Sequence, residues 1–307
     1  MAVATNTTSG KFTPEDIVRE VKNLPSAPRV LPRLKALLSD VNSVMSDIVG
    51  LVRLDPGIAA RVLQTANSAY FSGGLRCDTV YEAVKRVGYE QIYQLVSYAV
   101  ASQVLVRPLE VYGMESDELW KRSVTCALAT EALAERCAQD RDSAYTVGLL
   151  HCVGMVALDE WSLRGGRKLF FRTEAMPREA VASERSQLGF TQAEVGGALL
   201  RDWQFPLDTS EAVRWQYTPR LAGTSQPMAG LLHVAKWIRS TVCASATDQP
   251  LPLPDMLYMK PLGVDGPALK VMADGVRKKL EDVSSVLDVG PTQPQERQRF
   301  PVEPAAR

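Results

Sequence analysis

The sequence predicts an all-α fold, a multi-helix bundle. Three observations carry this expectation: apolar residues recur at helical spacing in successive segments, no segment alternates with period two, and Asp55-Pro56 opens a helix with a legible start signal. At 307 residues the chain is long enough to bury a substantial core. Asp55 can accept a backbone N–H as N-cap, and Pro56 fits the first helical position, where its missing donor is harmless. Ile58, Val62, Ala66 and Ala69 then share one face, and Gly73-Gly74 closes the segment.

In chain order the periodicity predicts helices over Phe12 to Lys22, Ala27 to Leu38, Met45 to Leu54, Pro56 to Tyr70, Val80 to Val87, Gln91 to Val106, Glu118 to Cys137 and Ser143 to Leu158. The stretch Ile92, Leu95, Val96, Ala99, Val100 and Val104 is apolar on more than one face, which suits a central helix joining two layers. Downstream, Glu179 to Leu188, Gln192 to Trp203, Ser210 to Tyr217 and Met228 to Val242 follow, punctuated by Phe205-Pro206 and Thr218-Pro219. A Pro-rich connector, Gln249 to Pro254, leads to a last helix from about Pro267 to Val286. Residues 1–11 are small and polar, and 290–307 are rich in Pro, Gln and Arg; both segments read as disordered.

Composition narrows the function classes. Thirty-five Lys+Arg balance 35 Asp+Glu, so nothing global argues for nucleic acid or an anionic membrane surface. The longest apolar runs are too short and interrupted to span a bilayer, and the start lacks a leader pattern, so a cytoplasmic protein is expected. The five cysteines, Cys77, Cys126, Cys137, Cys152 and Cys243, include no Cys-x-x-Cys pair and read as reduced packing residues.

A helix ending Ala66-Asn67-Ser68-Ala69-Tyr70-Phe71 after Asp55-Pro56-Gly57-Ile58-Ala59-Ala60-Arg61-Val62-Leu63 resembles the HDOD family, bacterial signalling modules related to HD-type metal phosphohydrolases. Leu24-Pro25-Ser26-Ala27-Pro28, Val80 to Gly88, Leu119-Trp120-Lys121-Arg122-Ser123, Leu188 to Gly197 and Leu200 to Trp203 are similar to further family landmarks in the same order. The resemblance implies an N-terminal helical part over 12–113, a degenerate HD-like part over 114–245 and a C-terminal helical extension over 246–289. Among the signature residues, Asp55, Pro56, Asn67 and Ser68 read as structural, with Asn67 and Ser68 closing a helix end through side-chain hydrogen bonds.

The enzymes of the superfamily need a cluster of His and Asp ligands, and this chain has two histidines. Arg122 stands where the resemblance places the first histidine, and a guanidinium has no lone pair for a metal. His151-Cys152 represents the His-Asp doublet without its carboxylate, Gln192 and Gln216-Tyr217 replace further histidines, and Lys236 replaces the closing aspartate. No catalytic residue, metal site or cofactor is therefore assigned. His151 and His233 also read as hydrogen-bonded core residues. If Arg122, His151 and Lys236 converge, they would form a cationic pocket for a phosphate or carboxylate; pairing with acids such as Glu131 or Asp159 is the competing arrangement.

Other chemistry finds little support. No phosphate-cradling glycine loop and no nucleophile elbow is present. Arg164 to Arg172 interleaves cations with Phe170 and Phe171, a pattern that suits nucleic acid but also a solvated helix face with its aromatics turned inward. The expected function is a non-catalytic bacterial regulator acting through signalling-protein partners, as the resemblance implies, in a setting such as cyclic-di-GMP-linked control of motility or virulence. A second-messenger phosphodiesterase or phosphohydrolase, and a sensor of a small anion such as a nucleotide, are the alternatives.

Overall fold

The computed structural model describes residues 12–21, 37, 42–68, 71–88, 92, 108–137, 139–171, 180–203, 205–244 and 251–286. Its α-helices are α1 Pro14–Glu20, α2 Met45–Arg53, α3 Pro56–Ala66, α4 Val80–Val87, α5 Ser116–Ala134, α6 Arg141–Leu150, α7 Val153–Arg164, α8 Val181–Leu188, α9 Gln192–Asp202, α10 Leu207–Arg214, α11 Gln226–Cys243, α12 Met256–Met259 and α13 Gly266–Val286. Among the described residues the β content is one isolated bridge between Leu109 and Met114.

The expected helices over Ala27 to Leu38 and Gln91 to Val106 fall almost wholly outside the described residues, as do the Leu24 to Pro28 motif, Ala69 and both expected tails. Elsewhere the physics of the helix ends sets the bounds. Asp55 caps α3 by accepting from the Ile58 amide at 2.9 Å, and Thr79 caps α4 by accepting from the Glu82 amide at 3.1 Å. The helix opened by Asp55 stops at Ala66, short of the expected Tyr70. Asn67 accepts from the Cys77 amide and donates to the Cys77 carbonyl, both at 2.8 Å, and Ser68 Oγ donates to the Thr65 carbonyl at 2.7 Å.

The single helix expected over Ser143 to Leu158 is two, α6 and α7, broken at His151-Cys152. Close packing explains why periodicity missed the break: both halves are buried almost throughout, so the apolar pattern runs on across the corner.

Helices α2, α3 and α4 form the N-terminal layer. Trp120 Nε1 of α5 donates to the Leu54 carbonyl at 2.8 Å, and Tyr145 OH of α6 donates to the Arg53 carbonyl at 2.8 Å. The Arg53 guanidinium stacks 4.0 Å over the Tyr145 ring and pairs with Glu131 at 2.6 Å, so one residue ties the layer to two bundle helices. Within the bundle α5 packs on α6 and α11, α9 packs on α7 and α10, and α1 lies across α7 and α9. Helix α13 packs on α5 and α11, and an apolar groove of about 700 Å³ opens between α11, the connector and α13. No helix among the described residues is long and apolar enough to cross a membrane.

The Arg164 to Arg172 run is not one helix face. Gly166, at φ 58°, ends the turn after α7, the chain continues outside any helix, and Phe171 is buried against Tyr112 with ring centroids 5.1 Å apart. Arg167 stacks 3.8 Å over Trp161 and donates to the Trp161 carbonyl at 2.7 Å, so this cation is committed to the fold.

Candidate functional site at the α6–α7 corner

His151 caps the C-terminus of α6 and turns its ring into the bundle, where it is fully buried. Its Nδ1 lies 2.7 Å from the Gly148 carbonyl, an atom that only accepts, so Nδ1 carries the proton and Nε2 presents a lone pair. Arg239 Nη1, from α11, donates into that lone pair at 2.8 Å, and Cys152 Sγ stands 3.0 Å from the same nitrogen. Burial, then the Arg239 guanidinium, and more weakly Lys236 and Arg122 hold the imidazole pKa well below its ordinary value, against the Gly148 hydrogen bond. The ring is neutral at physiological pH.

The three residues expected to form a cationic pocket do gather around this ring, but in two settings. Arg122, on α5, lines a small cavity together with Arg239, Cys152, Glu184, Gln192 and Tyr217. Lys236 Nζ sits 3.6 Å over the Tyr217 ring and 3.5 Å from the Gln216 carbonyl. That same carbonyl accepts from His233 Nδ1 at 3.0 Å, while Gln216 Nε2 donates to the His151 carbonyl at 3.0 Å. His233 is thus a hydrogen-bonded packing residue, as its Leu-rich surroundings suggested.

The cavity measures about 10 Å³, space for about one water molecule. A carboxylate lines it: Glu184 is buried, accepting from Tyr112 OH at 2.8 Å and from the Gln192 amide at 2.9 Å. Burial and then this carboxylate push the Tyr112 phenol pKa well up. Gln192 Nε2 donates to Tyr217 OH at 2.9 Å, and Gln192 Oε1 is buried without a partner among the described residues. That orphan acceptor beside a water-sized space suits a bridging water.

Two participants escaped sequence reasoning, Arg239 and Glu184. For Arg239 the sequence offered only a faint pointer, a cation three residues after Lys236 in a mostly apolar helix, while its acceptor 88 residues away was hidden. Glu184 had none, because its partners, Tyr112 and the Gln192 amide, lie on other elements. The signature residues Asp55, Pro56, Asn67 and Ser68 stand at the two ends of α3, where Asp55 and Ser68 bond locally and Asn67 reaches Cys77, ten residues on.

The donor set does not fit a divalent metal. A dication needs several lone pairs in one shell, whereas the one imidazole nitrogen available faces a guanidinium, with Arg122 and Lys236 adding fixed positive charge. Among the described residues no group of three or more His, Cys, Asp or Glu is arranged to hold an ion.

Known proteins share this architecture. A Treponema pallidum (strain Nichols) protein without a described function is 26% identical over 208 residues, 66% of this chain but 39% of its own length. The chain therefore spans well under half of that relative. The MmoQ response regulator of Methylococcus capsulatus str. Bath superposes with a TM-score of 0.62 at 23% identity, covering 82% of this chain and 98% of that one. A virulence factor from Campylobacter jejuni subsp. jejuni superposes with a TM-score of 0.63 at 17% identity, covering 87% and 99%. At these identities the two structures establish the fold. The HDOD domain model matches residues 24–219, and the chain belongs to the HDOD domain family.

Proposed function

We propose that this protein is a non-catalytic bacterial signal-transduction module that works by binding other proteins. The observation that carries the reading is the Arg239 guanidinium donating into the inward-facing nitrogen of His151, with Arg122 and Lys236 beside it. Hydrolysis of a phosphodiester through a metal-bound water requires a dication where this chain has gathered cations. The names of the two structural neighbours, a response regulator and a virulence factor, agree with a signalling role. Cyclic-di-GMP-linked control of motility or virulence is the setting proposed for it, in the cytoplasm.

Elemental analysis of purified protein combined with hydrolysis assays on cyclic dinucleotides tests this reading. The expected result is substoichiometric metal and no turnover, together with a specific protein partner recovered by cross-linking in the source cell. Stoichiometric metal with turnover abolished by His151→Ala would establish the phosphohydrolase instead. An anion sensor built on Arg122, His151 and Lys236 has the necessary charge, but its space is that of about one water and the Glu184 carboxylate already lines it. A nucleotide-dependent rise in Tm, lost in Arg122→Ala, would favour that sensor.

A further inference from the structure

Arg239 is 2% exposed, and a buried guanidinium persists only where its donors are satisfied. Nη1 donates to His151 Nε2 at 2.8 Å and Nη2 to Ser240 Oγ at 3.0 Å, two directions that use the planar fork. The acceptor is itself held from both sides. Its Nδ1–H donates to the Gly148 carbonyl at 2.7 Å, and its backbone carbonyl receives Gln216 Nε2 at 3.0 Å. Gln216 follows α10, and its carbonyl collects His233 Nδ1 at 3.0 Å and Lys236 Nζ at 3.5 Å, both from α11. The α6–α7 corner, the end of α10 and the middle of α11 thus meet through one connected polar network.

We propose that Arg239 is a permanent internal cation that locks this junction, doing with a covalently attached guanidinium what an exchangeable metal ion would do by bridging an inward-facing imidazole to neighbouring helices. The inference deepens the non-catalytic reading and rests on it. A tethered cation cannot be chelated or exchanged, so the bundle stays assembled whatever the metal supply. It also fixes the chemical class that the position accepts: a planar, multiply donating cation whose described acceptors include the neutral His151 nitrogen and the Ser240 hydroxyl. An ammonium, with a single compact head on a shorter reach, does not span both acceptors.

Two measurements test the lock. In the intact protein, long-range ¹⁵N–¹H correlation spectra of the histidine rings should show His151 protonated at Nδ1 and bare at Nε2; the opposite tautomer has no lone pair for Arg239 and overturns the proposal. The second measurement is thermal unfolding. Arg239→Ala should lower Tm by roughly 10 °C. Millimolar ethylguanidinium should restore part of that loss, ethylammonium should not, and Arg239→Lys should remain close to Arg239→Ala. A variant within about 2 °C of the parent, or one rescued by Zn²⁺ and not by ethylguanidinium, overturns it. If Arg239→Ala does not fold, the tautomer in the intact protein still decides. Metal content and turnover of the parent protein judge the non-catalytic reading separately, since the lock can fail while hydrolysis stays absent.

Discussion

His151 holds one proton on Nδ1 and lends its other nitrogen to Arg239, so protonating it means placing a second charge against a guanidinium in the buried core. Its folded pKa lies well below the ordinary value near 6.5, chiefly through burial and then Arg239. Below about pH 6.5 the unfolded chain binds a proton that the native one refuses, so stability falls by about 1.4 kcal/mol per pH unit on acidification. Urea unfolding at pH 7.5 and 5.5 should show this slope in the parent and a shallower one in His151→Gln; equal slopes would count against it. Asn67 makes a second residue-scale prediction. Its side chain satisfies both the amide and the carbonyl of Cys77, and all three groups are buried, so Asn67→Ala should cost about 3 kcal/mol in the same assay. The type of bond was legible, since Asn bonds backbone readily, but its partner was not: a residue ten positions on lies beyond local helix chemistry. Arg239 was hidden for the same reason, because its acceptor lies 88 residues away.

At the scale of elements, helix starts were the most readable features, as Asp55 before α3 and the start of α4 at Val80 illustrate. Helix interruptions inside the core were the least readable, as the corner between α6 and α7 illustrates. Helix approach depended on glycine. A Cβ on Gly154 of α7 would stand 2.7 Å from the Gly196 amide of α9 and closer still to the Gln192 carbonyl. Gly148 of α6 meets α5 similarly, 2.7 Å from Ala127 Cα. Gly154→Ala should therefore destabilise by about 3 kcal/mol, through overpacking against backbone that cannot move aside. Gly275 of α13 is exposed, and an added Cβ there meets nothing within 4 Å. Gly275→Ala should stabilise by about 0.5–1 kcal/mol, since alanine loses less backbone freedom in a helix. Opposite signs for these two variants in denaturant melts would verify the packing; the same sign would contradict it. Gly196 and Gly197 of α9 are close contacts too: an added Cβ would stand 3.2 Å from Val213 and 2.5 Å from Arg214 Cβ of α10, respectively.

For the molecule as a whole, the family match ends at residue 219, yet the core continues through α11 and α13. Leu269, Ala273, Val276 and Leu280 of α13 are buried, with α13 packed on α5 and α11. A chain ended at Pro250 should lose about 5 kcal/mol of stability, read as a lower urea midpoint, and an unchanged midpoint would show that α13 is dispensable. The all-α class, the helix starts, the neutral charge balance and the presence of only two histidines were legible from local chemistry: spacing, caps and side-chain type are properties of neighbouring residues. Tertiary structure alone decided which cation reaches His151, that Lys236 turns to Tyr217 and Gln216, and that the shared space shrinks to about 10 Å³. Those outcomes depend on the relative placement of helices far apart in sequence, which is set by the packing of the whole core and not by any one segment.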